Sequence, residues 1–167
     1  DSSTSRGLGD VYKRQLYMQL STIKKQLTPI LLCEFIGCVV GIVSVVYIAK
    51  AMGASREVIL SLASKSVTTP IAMEVTKSIG GIPPLTAAVV VCVGLMCAVC
   101  GYRTMGFARV KSPVAQGLSM GTAAHAVGTA TAMEKSPVHG AYASLGLTLN
   151  GILTSLLTPS IIPLLGV

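Results

Sequence analysis

The chain has 167 residues, the length of one domain, with 13 Lys and Arg against 6 Asp and Glu and a formal net charge of +7. Hydrophobic residues make up 51% and charged residues 11%, whereas soluble domains carry about 25% charged residues. This composition excludes a disordered chain and a disulfide-stapled module. It also argues against a soluble enzyme, because a small globule cannot hide so much apolar surface from water.

The positive charges lie in clusters between apolar runs, and aromatic residues that could stack on bases are scarce, so we predict no nucleic-acid partner. The positive-inside rule explains the clusters better, and the lipid bilayer is the predicted environment. Five cysteines lie within apolar runs without zinc-ligand spacing. We therefore expect no metal and no cofactor. The cysteines are Cys33, Cys38, Cys92, Cys97 and Cys100.

Residues 1–15 are polar and lack the apolar stretch of a signal peptide. We expect a non-native or disordered leader there, followed by a membrane domain over residues 16–167. Full membrane spans are predicted near 28–49, 84–102 and 140–162, where the apolar runs are long enough to cross a bilayer.

Two details of these spans can be predicted. Pro159 and Pro163 should break or end the last span, because proline cannot continue the hydrogen bonds of a helix. Glu34 lies near the start of the first span, which favours a place at the membrane interface over a coupling role.

Two other segments are too polar or too rich in glycine to be lipid-facing helices: residues 56–79 and 112–133. Irregular backbone at membrane depth survives only where protein or a water-filled cavity covers it, so we predict a helix–break–helix element in each. Helix start signals occur at Thr69-Pro70, Ser112-Pro113 and Ser136-Pro137. Gly80-Gly81-Ile82-Pro83-Pro84 predicts a turn.

Charge and repetition predict the topology. Lys24-Lys25 precedes the first span, and the basic cluster 103–111 follows the second. If both are cytoplasmic, the first broken segment enters and leaves on the outer side and the second on the inner side.

A shift of 56 residues places 62–72 on 118–128, although the identity is poor. An inverted repeat with broken helices is a transporter architecture.

The first break carries the features of an anion site. Lys65 either snorkels to the interface or faces a polar cavity, where it would neutralise an anion. Ser66, Thr68 and Thr69 add hydroxyl groups. A half-helix that begins at Pro70 adds unpaired N–H groups and a partial positive charge, which suit a carboxylate or a phosphate.

The second break matches the first. Gly121 and Gly128 allow close approach of backbone, and Thr122 and Thr129 can satisfy freed carbonyl groups. His125 is a candidate proton carrier or ligand donor, or else a neutral histidine bonded to neighbouring backbone.

Three further titratable residues carry a prediction. Glu74 and Glu134 each end an Ala-Met-Glu triplet and are candidates for ion or proton coupling. Glu74 can instead form a surface pair with Lys77. His139, beside Lys135, is expected to be solvated.

Glycine spacing predicts close helix packing at Gly37–Gly41 and Gly117–Gly121, both of which are G-x-x-x-G. The sequence has no nucleophile elbow, metal-ligand pair or P-loop. We therefore predict no catalytic residue and no enzymatic activity.

The string Lys65-Ser66-Val67-Thr68-Thr69-Pro70-Ile71-Ala72-Met73-Glu74 strongly resembles the LrgB/CidB family of bacterial inner-membrane proteins. Residues 80–83, 117–129 and 132–134 are also similar to that family, and the resemblance runs from Leu16 to the C-terminus. It implies a multi-pass protein of the bacterial inner (plasma) membrane without catalytic residues. Family members have further hydrophobic spans before the region that matches Leu16, so the chain resembles an N-terminally truncated member.

The resemblance implies two alternative functions. One is a carrier of small carboxylates, such as pyruvate in bacteria or glycolate and glycerate in plastid relatives, with its site at the two broken helices. The other is an antiholin-like regulator of murein hydrolase activity and autolysis, with a small holin-like (LrgA/CidA-type) membrane protein as partner. We expect a homo-oligomer in either case.

Overall fold

The computed structural model describes residues 26–167, which form six α-helices and no β-strand. The all-α prediction is confirmed. The predicted leader at residues 1–15 lies outside the described residues. The helices are α1 (Leu27–Ala51), α2 (Arg56–Ala63), α3 (Thr69–Ile79), α4 (Pro83–Phe107), α5 (Pro113–Lys135) and α6 (Pro137–Leu164).

The chain divides into two compact units, Asp1–Cys33 and Glu34–Val167. Of the first unit the structure describes residues 26–33, which enter the first turns of α1. The second unit contains the remainder of α1 and the other five helices. All contacts below lie within this second unit.

Three helices are long and apolar enough to cross a membrane: α1, α4 and α6, with 25, 25 and 28 residues and mean hydropathies of 2.4, 2.3 and 1.5. They confirm the three predicted spans. Large apolar side chains of α4, such as Val91 and Val99, are 50% and 72% exposed, as expected for helices whose solvent is lipid. The chain is therefore a multi-pass membrane protein.

The last helix continues past Pro159 and ends at Leu164, one residue after Pro163. The helix thus ends where the prolines predict, without a break at the first of them. Membrane helices tolerate such prolines because neighbouring groups satisfy the freed carbonyl groups.

The first broken segment is a helical hairpin formed by α2 and α3. The Ser64 hydroxyl donates to the carbonyl oxygen of Ala72 over 3.1 Å. The Ser61 hydroxyl, one turn earlier in α2, accepts from the N–H of Ile82 over 2.7 Å. Ser61 precedes Ser64 in the chain, whereas its partner Ile82 follows Ala72, the partner of Ser64. The contacts therefore run in opposite directions along the two helices, so α2 and α3 are antiparallel. The chain leaves this segment on the side where it entered, and the tip of the hairpin is residues 65–68.

The second broken segment is a hairpin within α5. His125 has non-helical dihedral angles, φ 41° and ψ −128°. The Lys135 ammonium donates to the Gln116 side-chain oxygen over 2.9 Å. In a continuous helix these residues would lie about 28 Å apart along the axis. A Cβ added to Gly128 would approach the carbonyl oxygen of Met120, eight residues earlier. The chain therefore folds back at His125, the tip of this second hairpin.

Most helix boundaries follow the predicted signals. Ser112 and Ser136 are the N-caps of α5 and α6, each followed by proline. Gly80 ends α3 with φ 84°, a left-handed conformation that suits glycine. The N-cap of α3 is Thr68 rather than Thr69, so this helix starts one residue earlier than its signal predicts.

The helix bounds repeat along the chain. A shift of 56 residues moves α1 onto 83–107, the bounds of α4, and moves 56–79 onto 112–135, where α5 lies. The same shift moves Thr69, which follows the first tip, onto His125. Each repeat thus combines one crossing with one hairpin and starts and ends on opposite sides of the membrane. A second such unit is inverted relative to the first, as in many transporters.

The two G-x-x-x-G motifs differ in their packing. A Cβ added at Gly117 or Gly121 would overlap the backbone of His139 or Ala143 in α6, so this motif brings α5 and α6 close together as predicted. A Cβ added at either glycine of the 37–41 motif meets no heavy atom within 4 Å. That motif borders a cavity instead of a helix.

Candidate functional site

The two hairpins meet at the middle of α6. The Asn150 amide donates to the carbonyl oxygen of Ser66 in the first tip and, over 3.2 Å, to that of Thr122 in α5. Asn150 is only 2% exposed. Because α6 is long enough to cross the bilayer and Asn150 lies near its midpoint, this residue holds both hairpins near mid-membrane depth.

Replacing Asn150 by leucine, which has similar volume but no donor, is expected to weaken the connection between the hairpins. Both carbonyl oxygens lose a buried donor, and buried hydrogen bonds in membrane proteins contribute about 0.6 kcal/mol each, up to about 1.7. We expect a loss of about 1–2 kcal/mol in the free energy of unfolding, measured in detergent. Thr148→Val on the exposed side of α6 is the control, and equal stabilities of the two variants would contradict the bridging role.

Lys65 lies half-buried in the first tip, where its ammonium group donates to the Ser66 hydroxyl over 3.2 Å. In the described part of the chain it forms no ion pair. Lys65 is outside the three candidate membrane spans, at the tip that Asn150 contacts in the middle of α6. An anion beside it would stabilise the charged form.

His125 places its imidazole against the first tip. The ring is 3% exposed and interacts with the backbone of Lys65, but its Nε2 has no hydrogen-bond partner. The sequence left open whether His125 is a neutral histidine bonded to backbone, a proton carrier or a ligand donor. In this arrangement the ring contacts the backbone of Lys65, and its Nε2 is still available to a ligand or a proton.

A cavity of about 500 Å³ opens beside the two tips, and we call it the His125 cavity. Its polar lining comes from Thr68, Thr69 and His125, beside Pro70. Most of the remaining lining is apolar and comes from α4 and the second hairpin. An apolar cavity with a few convergent polar groups is typical of small-molecule sites.

Asn150 lines a second cavity, of about 180 Å³, which we call the Asn150 cavity. Ser66 from the first tip and Thr122 from α5 line it together with Asn150 and Thr154. Both hairpins thus contribute to the lining of each cavity, and the first tip contributes a hydroxyl-bearing residue to each: Ser66 to this one and Thr68 to the His125 cavity.

Three residues of the predicted second break line neither cavity. Gly121 packs on the backbone of α6, and Gly128 packs inside the second hairpin. The Thr129 hydroxyl donates to the carbonyl oxygen of His125 over 2.8 Å, which satisfies a group that the break frees. These residues shape the hairpin around the site.

The two candidate coupling residues line neither the His125 cavity nor the Asn150 cavity. Glu74 is exposed and borders a shallow groove with Ser78 and Ser155. It makes no ion pair with Lys77. Glu134 is exposed near the end of α5.

The expected interface position of Glu34 is wrong. Its side chain is 2% exposed and accepts a hydrogen bond from the Thr122 hydroxyl. The signal was present in α1, where Glu34, Cys38, Ile42 and Val46 form one buried stripe at helical spacing. Asn150, too, could have been noticed as the one carboxamide in the apolar run of residues 140–167.

The expected solvation of His139 is also wrong, because the side chain is 7% exposed. Its Nδ1 is 2.7 Å from the Ser136 hydroxyl, and its Nε2 is 3.1 Å from the Gln116 side-chain oxygen. His139 therefore joins the base of the second hairpin to the start of α6.

Three features near the tips could interact with an anion. They are the Lys65 ammonium group, which lines neither cavity, the His125 Nε2 atom and the start of α3, whose N-cap Thr68 makes no side-chain capping bond. Among residues 26–167 no group of three or more His, Cys, Asp or Glu side chains could hold a metal ion.

Comparison with known proteins agrees with this architecture. The LrgB-like family matches residues 14–164. An uncharacterized protein of Haemophilus influenzae is 39% identical over 150 residues, covering 90% of this chain and 65% of that protein. The antiholin-like protein LrgB of Bacillus mycoides is 36% identical over 151 residues, and that of Bacillus cereus is 35% identical, each covering 90% of this chain and 66% of the relative.

No solved structure matches the chain. The chain spans about two thirds of the length of the curated relatives that it matches. The family match covers nearly all of the chain, including both hairpins and all three spans. The chain is thus a multi-pass bacterial membrane protein that belongs to the LrgB-like family.

Proposed function

We propose that this chain carries small carboxylates of the pyruvate or glycolate type across the membrane, with the substrate held at the two hairpin tips. One observation carries the proposal: Asn150 joins the two hairpins in mid-span, near an ammonium group that has no anionic partner among the described residues. An ionisable group at such a place is a functional-site hypothesis by default.

The residues at the tips have distinct proposed roles. Lys65 supplies the charge that neutralises the carboxylate. The first N–H groups of α3 and the Thr68 and Thr69 hydroxyls supply hydrogen bonds at the positive end of a helix dipole. His125, with its free Nε2, contacts the substrate from the second hairpin. The apolar lining of the His125 cavity suits the carbon skeleton of a small organic acid.

Alternating access follows from the repeat. The first hairpin belongs to one repeat and the second hairpin to the inverted copy. Rocking of one repeat against the other would expose the tips first to one side of the membrane and then to the other. The first hairpin is predicted to enter from the outer side of the membrane and the second from the inner side. Each repeat would therefore open or close access to the tips from one side.

A second candidate function is favoured by the names of the relatives, which are called antiholin-like. A regulator of murein hydrolase activity and autolysis would act with a small holin-like membrane protein. Such a regulator needs helix faces that pack against the partner or against a second copy of the chain. The exposed apolar faces of α1 and α4 could provide them, for example Ile36, Val40, Val91 and Met96. No catalytic role is proposed.

The test is uptake of labelled pyruvate and glycolate into proteoliposomes, with and without a holin-like partner. A carrier gives uptake that saturates with substrate and that unlabelled carboxylate competes away. Absence of saturable uptake, together with dye leakage that depends on the partner, would contradict the carrier function and support the regulator function.

A further inference from the structure

Glu34 is a buried carboxyl group that the proposed anion site does not use. It lies on the stripe of α1 that faces α5 and α6 and is 2% exposed. Its Oε1 accepts the hydrogen bond from the Thr122 hydroxyl, whereas its Oε2 has no partner. A Cβ added to Gly146 in α6 would lie 3.3 Å from Oε1, so the carboxyl group is enclosed from that side as well.

No positive charge faces this carboxyl group in the described part of the chain. The facing groups are the Thr122 hydroxyl from α5 and the backbone of Gly146 from α6. On α1 itself the Cys38 thiol lies one turn away, and it is paired with the Thr154 hydroxyl over 3.3 Å. An ionised carboxylate without a cation is costly in such a place, and the group avoids the cost by binding a proton.

Glu34 is connected to the hairpin tips by a short chain of hydrogen bonds. Thr122, which donates to Glu34, also offers its carbonyl oxygen to Asn150, and Asn150 donates to the backbone of Ser66. Thr122, Asn150 and Cys38 line the Asn150 cavity, so this cavity borders the residues next to the carboxyl group. A change of charge on Glu34 therefore acts on the contact that holds the two hairpins together.

We propose that Glu34 binds and releases the proton that accompanies each carboxylate across the membrane. The inference rests on the proposed carrier function. The carboxylate of Glu34 takes up one proton when the Asn150 cavity opens to one side, becomes a neutral carboxyl group for the conformational change, and gives the proton back to water on the other side. No other bond forms or breaks.

The direct test is infrared titration of the purified chain in lipid, which observes the carbonyl band of a protonated carboxyl group. Wild-type protein should show a band that persists near neutral pH and disappears at higher pH, and Glu34→Gln should lack it. Glu74→Gln is the matched control, because Glu74 is exposed, and it should retain the band. A band that is absent in wild-type protein, or unchanged in Glu34→Gln, would overturn the inference.

Transport assays distinguish a failure of this inference from a failure of the proposed carrier function on which it rests. In Glu34→Gln, accumulation of pyruvate driven by a pH gradient should fall at least tenfold, whereas exchange of internal for external pyruvate at equal pH should stay within about twofold. Loss of both activities, or gradient-driven accumulation at the wild-type level, contradicts the proton role of Glu34. If wild-type protein shows neither activity but the infrared result holds, the carrier function fails and Glu34 remains a buried protonated group.

Discussion

Replacing Lys65 by alanine is expected to abolish saturable uptake of pyruvate and glycolate. The ammonium group is the charge at the hairpin tips that can neutralise a carboxylate, and it has no ion-pair partner in the described residues. Removing one partner of a buried, hydrogen-bonded charge pair costs about 2–5 kcal/mol of binding, a loss of at least tenfold in affinity. The measurement is the concentration dependence of uptake into proteoliposomes.

Lys77→Ala is the matched control for this prediction. Lys77 is exposed in the last turn of α3, the same helix whose first turn begins at the tip, and its loss should leave uptake unchanged. Both variants should insert and unfold like wild-type protein, since among residues 26–167 the Lys65 side chain makes only one hydrogen bond, to its neighbour Ser66. Normal uptake by Lys65→Ala would refute the anion site.

Replacing Gly121 by alanine is expected to give the largest loss of stability. The added Cβ would overlap the backbone of Ala143, which cannot move without separating α5 from α6. Overpacking of this kind costs about 1–3 kcal/mol and sometimes more. We expect a lower midpoint of thermal unfolding in detergent and reduced uptake, because α6 also carries Asn150.

Gly41→Ala is the control for the packing prediction. Gly41 belongs to the other G-x-x-x-G motif, but a Cβ there meets no heavy atom within 4 Å. Alanine has a higher helix propensity than glycine, so this variant should be as stable as wild-type protein or more stable by up to about 1 kcal/mol. Equal destabilisation by the two substitutions would contradict the packing of α5 on α6.

Local features of the sequence predicted the elements of this fold well. The length of the apolar runs located the three spans, and proline after a hydroxyl residue located the starts of α5 and α6. The broken segments were predicted because their composition could not face lipid. These properties depend on neighbouring residues along the chain and need no knowledge of tertiary structure.

The burial of Glu34 was not predicted. Gly37 and Gly41 lie on the same side of α1 as Cys38 and line the Asn150 cavity with it, but the glycine spacing did not identify Glu34 as part of this inward face. A carboxyl group near the start of a span resembles an interface residue until its neighbours from α5 and α6 are known. Tertiary packing therefore decided the environment of Glu34.

The contact between the two hairpins could not be predicted from local sequence patterns either. Asn150 and Ser66 are 84 residues apart in the chain, and no pattern within one segment specifies their contact. The second break was predicted within residues 121–129, and in that segment of α5 the residue with non-helical dihedral angles is His125, with φ 41°. Such a conformation costs about 1–3 kcal/mol, so the surrounding contacts must hold it in place.

The most direct test of a carboxylate at the hairpin tips is protection of a single cysteine. Thr68 lines the His125 cavity and makes no capping bond, so Thr68→Cys should be tolerated in a chain whose native cysteines are replaced by alanine. We predict that pyruvate slows modification of this thiol by a small methanethiosulfonate reagent, in a saturable way that Lys65→Ala abolishes. A cysteine at the exposed position Glu74 should show no protection. Modification of Thr68→Cys at the same rate with and without pyruvate would contradict a substrate site at the tips.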